Sequence, residues 1–486
     1  MVIKEGKKYG YFVKPSKSWL ILKDPNRVGE AQALFEDAPI NVTTEGKRHL
    51  GAVLGTDEFK NSYINNKVEE WCKRMQKLTE IAKSQPHAAY AAYIHGEQHR
   101  YTYFMRTIQG ISDNLKPLDE IIDQHFIPAL FGREITEEER ELFAIQVKEG
   151  GLGIRQLHRN SAANYHSSKT ITAPLVTEIV KQSENLPNKE QVKIARSKTM
   201  LKIRENQEKH TNEIKAKQPT DIQRKLAQIS EPGASSWLGG LPLSQHGFDL
   251  CKGEFQDAMC LRYNKPLKNL PTHCPCTQRF TVTHALNCYK GGFINARHDS
   301  IRDLEGHMLK SICHDVEIEP TLQTVNNTTN FGRSANTSEE ARLDIRARGF
   351  WRFGQNAFFD VRVTNAECDS QISATVSSVL RKHEMAKKRE YNQRIIEVEH
   401  GTFTPLVFTT SGAMGHECTK FHKTLAEKMS VKSGEKYEDI MRYIRVKISF
   451  LVLKATLLCL RGSRSLKKNV EVGGEDFSQS LRELGM

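Results

Sequence analysis

The chain has 486 residues, about three times the ~150 of a typical domain, with 71 Lys and Arg against 58 Asp and Glu, a net charge of +13. Its 38% hydrophobic and 27% charged residues suit folded globular domains and exclude a disordered tail protein. No apolar run reaches the ~18 residues of a membrane span, since 448–460 is shorter and carries Lys454, and the charged start lacks the apolar stretch of a secretory leader.

In chain order, 10-GYFVKPSKSWLIL-22 sets β-favouring aromatics about a Pro-Ser turn and predicts a hairpin. Ile64, Val68, Met75 and Leu78 recur at helical spacing and predict a helix over 62–82. Thr136 and Glu139 form a capping box that opens another helix, expected to stop at Gly150-Gly151. Residues 186–228 are Lys-rich and free of aromatics, a charged helix or linker that bounds the first part. The Gly/Pro-rich 231-EPGASSWLGGLPL-243 marks a second boundary.

A more legible order follows. Ile301, Leu304, Met308 and Ile312 predict a helix over 297–314, and 316-VEIE-319 a short strand. Two strand-like runs, 342-RLDIRA-347 and 357-AFFDVRV-363, precede a long helix over 371–396 and a last strand, 404-TPLVFTT-410. The sum is α-β-β-β-α-β, a sheet flanked by helices.

The charge is uneven along this order. Residues 1–185 hold 25 basic against 24 acidic residues, 186–228 hold 11 against 5, and the remainder 35 against 29. The surplus therefore lies in the C-terminal 300 residues, which points to a polyanionic partner such as nucleic acid or, more plainly, to a solvated basic surface.

Ten cysteines are too scattered for a disulfide framework, but three cluster in 274-CPCTQRFTVTHALNC-288. Cys274, Cys276, His284 and Cys288 form the donor set of a closed structural Zn²⁺ site, with His284 and Cys288 on one face of a helical turn. Cys313 or His273 could replace a ligand if the C-x-C pair is too tight.

The second constellation is Asp344 and Asp360. A hairpin symmetric about residue 352 would oppose them, about 5 Å apart between Cβ atoms. Two like charges in apolar strands are costly unless a divalent cation is shared, and such a cation can activate water against a phosphodiester. The alternative is that they face solvent or pair with Arg342, Arg346 or Arg362. Downstream, 381-RKHEMAKKREY-391 offers Lys382, Lys387 and Lys388 near a reacting phosphate, with Tyr391 beyond, or simply a solvated helix face. Glu319 is a further candidate ligand.

These residues, in this order, resemble the restriction-endonuclease-like domain of non-LTR retrotransposon polyproteins, a branch of the PD-(D/E)xK nucleases. The resemblance rests on the cysteine cluster, 297-RHDSIRD-303, 317-EIEP-320, 342-RLDI-345, 359-FDVRV-363 and the Lys/Tyr helix. It implies a Mg²⁺-dependent endonuclease that nicks target DNA for target-primed reverse transcription. Asp344 and Asp360 match the family's acidic ligands, and Lys388, then Lys382, its displaced lysine. Arg297 and His298 match its RHN-type motif, and with Arg362, Lys387 and Tyr391 they would contact nucleic acid. Leu343 stands where the family has Pro, and Arg362 where it has Lys.

The N-terminal part is similar to the same polyproteins: 9-YGYFVKPSKSWLIL-22 and 48-RHLGAVLG-55 to the end of a reverse-transcriptase palm, 86-PHAAYAAYIHG-96 and 126-FIPALFGR-133 to the thumb and connection. No Y-x-D-D occurs, so the polymerase core is missing and polymerisation by this chain alone is not expected. The expectation is an α+β multidomain chain. It comprises a reverse-transcriptase remnant (1–185), a basic helix or linker (186–230), a linker with the knuckle (231–295), the nuclease core (296–465) and a disordered tail (466–486). The partners implied are target DNA and retroelement RNA with no membrane, in a nuclear or nucleocytoplasmic location; the other outcome is an inactive, zinc-stabilised nucleic-acid-binding remnant.

Overall fold

The computed structural model describes residues 5–12, 14–37, 40–181, 189–325 and 331–464; the tail expected over 466–486 lies outside them. Helix and sheet are mixed, with helices predominant.

The expected N-terminal hairpin does not form. Pro15–Lys17 is a single helical turn, and β1 (Trp19–Ile21) instead pairs in parallel with β2 (Asn41–Thr43), Trp19 opposite Asn41. Proline at the start of that turn fixes φ and supplies no N–H, so a local ladder cannot close there. An antiparallel pair, β3 (Gly46–His49) and β4 (Ala52–Gly55), leads into α1 (Asp57–Ser84). Thr56 caps α1 by accepting from the Phe59 N–H, and Ile64, Val68, Trp71 and Met75 form its buried stripe.

The Thr136–Glu139 capping box is present, but its helix, Glu137–Ala144, ends before the glycine pair. Gly151 has a different duty: a Cβ there would meet the Ile145 carbonyl oxygen at 2.1 Å. The chain then builds an antiparallel pair of long helices, α2 (Leu157–Val180) and α3 (Lys189–Ala216). The segment over 231–243, expected as a boundary, runs into the interior. Trp237 and Leu238 are buried, and the Trp237 N–H donates to Ser449 Oγ at 3.1 Å.

The C-terminal part follows the order α4 (Phe293–Lys310), β5 (His314–Ile318), β6 (Ile345–Arg348), β7 (Asn356–Thr364), α5 (Val376–Glu397), β8 (Thr402–Thr409). The sheet order is β5-β6-β7-β8, antiparallel except for the parallel β7–β8 pair that α5 connects. Two helices complete it, α6 (His416–Ser433) and α7 (Tyr437–Arg461). One hydrophobic cluster runs from Val53 through Phe255 and Phe359 to Leu457, so helical and sheet regions share a core. α7 contains the apolar run over 448–460; among the described residues no helix is long and apolar enough to cross a membrane.

Candidate metal centre and carboxylate site

The cysteine cluster is assembled by a tight turn and a short helix. The Cys274 N–H donates to the Gln278 carbonyl (2.9 Å) and the Thr277 N–H to the Cys274 carbonyl (2.8 Å), so the chain reverses over residues 274–278 and the turn carries both of the first two thiols. Thr277 adopts a φ of 75° to do this, at a cost of roughly 1 kcal/mol for a side-chain-bearing residue. That reversal makes the one-residue C-x-C spacing workable. Thr281 caps the helix Val282–Asn287 by accepting from the His284 N–H, and Cys288 follows at its end.

The four ligand atoms lie within 4.8 Å of one another. Cys274 Sγ is 3.7 Å from Cys288 Sγ, Cys276 Sγ is 3.8 Å from Cys288 Sγ, and His284 Nε2 is 3.3 Å from Cys276 Sγ. Tetrahedral zinc with ~2.3 Å Zn–S bonds spaces its thiolates about 3.8 Å apart. The cluster could therefore hold a metal ion and is compatible with zinc. A hydrogen bond from the Gln278 main chain lowers the Cys276 thiol pKa, which favours the ligating thiolate. Cys313 and His273 stand outside this group.

Arg297, expected at nucleic acid, is instead buried. It donates to the Leu286 carbonyl (3.3 Å) and faces Cys459 Sγ (3.8 Å), tying the knuckle helix to α7. It also borders the cavity that holds the two aspartates.

The carboxylate site forms where α4, β6, β7 and α5 meet. Ile345 lies opposite Phe359 and Arg348 opposite Asn356, so the hairpin is centred on residue 352, as the spacing predicts. The ladder stops at Ile345, however, because the chain bends at Asp344. Asp344 closes it with its side chain: the Val361 N–H donates to Asp344 Oδ2 at 2.5 Å. His298 Nε2 is 3.1 Å from the same oxygen, and its Nδ1 is 3.2 Å from Asp299. Burial disfavours the imidazolium, but Asp344 and Asp299 outweigh it and hold the His298 pKa at about 9.

Asp360 is 6% exposed and pairs with Lys387, whose Nζ is 3.0 Å from Oδ2 and 3.3 Å from Oδ1. Burial pushes its carboxyl up to about 6; Lys387 opposes the rise and Asp344 adds to it. The lysines preferred from sequence lie elsewhere: Lys388 pairs with Glu417, and Lys382 is exposed on the preceding turn. Lys387 was legible in principle, since it falls on the inward stripe of Val376, Leu380, Glu384, Tyr391 and Ile395.

Arg362 is exposed beside the aspartates, with no carboxylate in ion-pair range among the described residues. Tyr391 is buried, accepts from Asn336 Nδ2 (3.3 Å) and lies 5.4 Å from the Lys387 ammonium, so it supports Lys387 rather than facing a ligand. The Glu319 N–H donates to the Asp344 carbonyl (2.9 Å), but its side chain is 53% exposed, pairs with Arg302 and does not line the cavity that holds the two aspartates. Asp344, Asp360, His298, Arg362 and Lys387 line one open cavity of about 360 Å³. Among the described residues, the cysteine cluster is the one group of three or more His, Cys, Asp or Glu spaced to share an ion. No protein-family model matches the chain, and no curated protein is similar enough to match it.

Proposed function

We propose that the chain is a metal-dependent DNA endonuclease of the restriction-endonuclease-like kind, from the C-terminal part of a non-LTR retrotransposon polyprotein. The observation that supports this reading is the meeting of Asp344, Asp360 and Lys387 at one open cavity. The donor chemistry fits Mg²⁺, a hard cation that takes carboxylate oxygens. Asp360 Oδ2 is buried and, although 3.0 Å from Lys387, has no well-aligned hydrogen bond; a lone pair is left for a cation.

Mg²⁺ held by Asp344 and Asp360 would polarise the phosphate and acidify the attacking water. Lys387 sets a positive charge where the phosphate gains negative charge. Arg362 draws the DNA backbone to the cavity mouth. His298 orients Asp344, and the zinc-type knuckle braces α4, which carries His298. On this reading the helical half is a thumb and connection remnant, the nick provides a 3′-hydroxyl for reverse transcription, and the partners are target DNA and retroelement RNA in the nucleus or nucleocytoplasm.

A second reading, an inactive nucleic-acid-binding remnant, is favoured by one observation. Lys387 and His298 already compensate the two carboxylates without any metal. Supercoiled plasmid incubated with Mg²⁺ separates the readings. The wild type is expected to give open circles and Asp360→Ala none; no nicking by either protein refutes the enzyme and leaves the remnant.

A further inference from the structure

A groove of about 730 Å³ runs between α2 and α3, far along the chain from the carboxylate site. Three arginines from separate segments converge on it: Arg106, Arg155 and Arg196. None has a carboxylate in ion-pair range among the described residues, and no Asp or Glu lines the groove. Elsewhere in the helical region Arg74 pairs with Glu97, Arg133 with Glu139 and Arg140 with Asp123. The remaining walls mix amides and hydroxyls, such as Asn164, Ser168 and Gln207, with aliphatic side chains such as Ile171 and Ile203, and carry no aromatic ring.

Three exposed guanidiniums on one groove without a counter-charge give it a positive potential that attracts an anion with several charges. Guanidinium forks match phosphate oxygens in geometry. The absence of aromatic rings removes the stacking platform by which single-strand binders hold bases, so recognition falls on the backbone. Along α3 the lining runs from Val192 to Gln207, which spans about 22 Å at ~1.5 Å per residue. That is room for about six phosphates at the ~3.4 Å spacing of a helical strand.

We propose that this groove binds the phosphodiester backbone of a nucleic-acid strand, without base specificity, as a site separate from the carboxylate cavity. The inference does not depend on nuclease activity.

The test is fluorescence anisotropy of the full chain against fluorescein-labelled single-stranded DNA and RNA of one sequence, titrated with salt. Each phosphate contact contributes about 0.7 to the slope of log affinity against log salt for a single strand. The triple variant Arg106→Gln, Arg155→Gln, Arg196→Gln is expected to be shallower by about 2. Asn164→Lys, which adds a cation to the wall, is expected to be steeper by about 0.7 and guards against a folding artefact. Equal slopes for both nucleic acids are expected of a backbone site without base specificity, and tighter binding of one of them would identify the natural strand. Unchanged slopes in both variants overturn the proposal. So does displacement of the strand by polyglutamate as readily as by unlabelled oligonucleotide, which would assign the groove to an acidic protein. The titration is run without Mg²⁺ and reads binding alone, so a failed plasmid nick does not touch this result.

Discussion

The Lys387 ammonium sits 3.0 Å from Oδ2 of Asp360, on a helix and a strand that face each other, and both side chains are largely shielded from water. Removing one partner of such a pair strands the other charge in a poorly solvated place, typically at ~3–5 kcal/mol. Lys387→Met should therefore lower unfolding free energy by about 3 kcal/mol, read by urea titration. Adding Asp360→Asn should restore part of the loss, because the stranded charge is gone. Strictly additive losses would show that the two groups do not depend on each other.

The two adjacent lysines of α5 make opposite predictions for nicking. Lys387→Ala should slow it about a hundredfold or more, the usual effect of losing one group that stabilises transition-state charge. Lys388→Ala should change it only a few-fold, since Lys388 is engaged by Glu417. A larger loss at Lys388 than at Lys387, measured as initial nicking rates, would reverse the assignment.

Why one lysine and not its neighbour was missed is a matter of helix phase. The pair Lys387-Lys388 is chemically uniform, and adjacent residues point about 100° apart. Only the buried stripe from Val376 to Ile395 says which turns inward. The order α-β-β-β-α-β and the centre of the Asp344–Asp360 hairpin could be read directly, because strand alternation and a glycine-rich turn are local signals. The parallel pairing of β1 with β2 could not, since its partner lies twenty-two residues away and leaves no local pattern. The burial of Arg297 is hidden for a similar reason. A basic residue in a polar motif reads as surface, and its burial depends on Cys459, 162 positions along the chain.

At the knuckle, elemental analysis of the purified chain should find one zinc per molecule. Cys288→Ser should lose it, because Cys288 is near both other thiols. The metal-free protein should exchange backbone amides faster over 272–290 and at the end of α7, since Leu460 packs with Cys274 and Cys288. Unaltered exchange at Leu460 would mean the knuckle contributes nothing to α7.

His87 makes acid pH a probe of the seam between the helical region and α7. Its ring stacks on Phe255 at 5.6 Å and lies beside Phe450 on α7. The Leu250 N–H donates to its Nδ1 at 3.2 Å, so the neutral ring must carry its proton on Nε2. Burial lowers the His87 pKa to about 4, with Asp249 and Lys454 acting in opposite senses. An unfolded histidine titrates near 6.5. The unfolded chain therefore takes up this proton first, and the stability held by neutral His87 is complete above pH ~6.5 and lost as pH falls toward ~4. At about 1.4 kcal/mol per unit, the loss approaches 3 kcal/mol. Urea unfolding of wild type and His87→Asn between pH 7 and pH 4.5 measures it, because asparagine keeps an acceptor but does not titrate. Carboxylates and the buried His383 contribute to both curves and cancel in the difference. The wild-type curve should fall more steeply; parallel curves would show that the seam tolerates a charged His87.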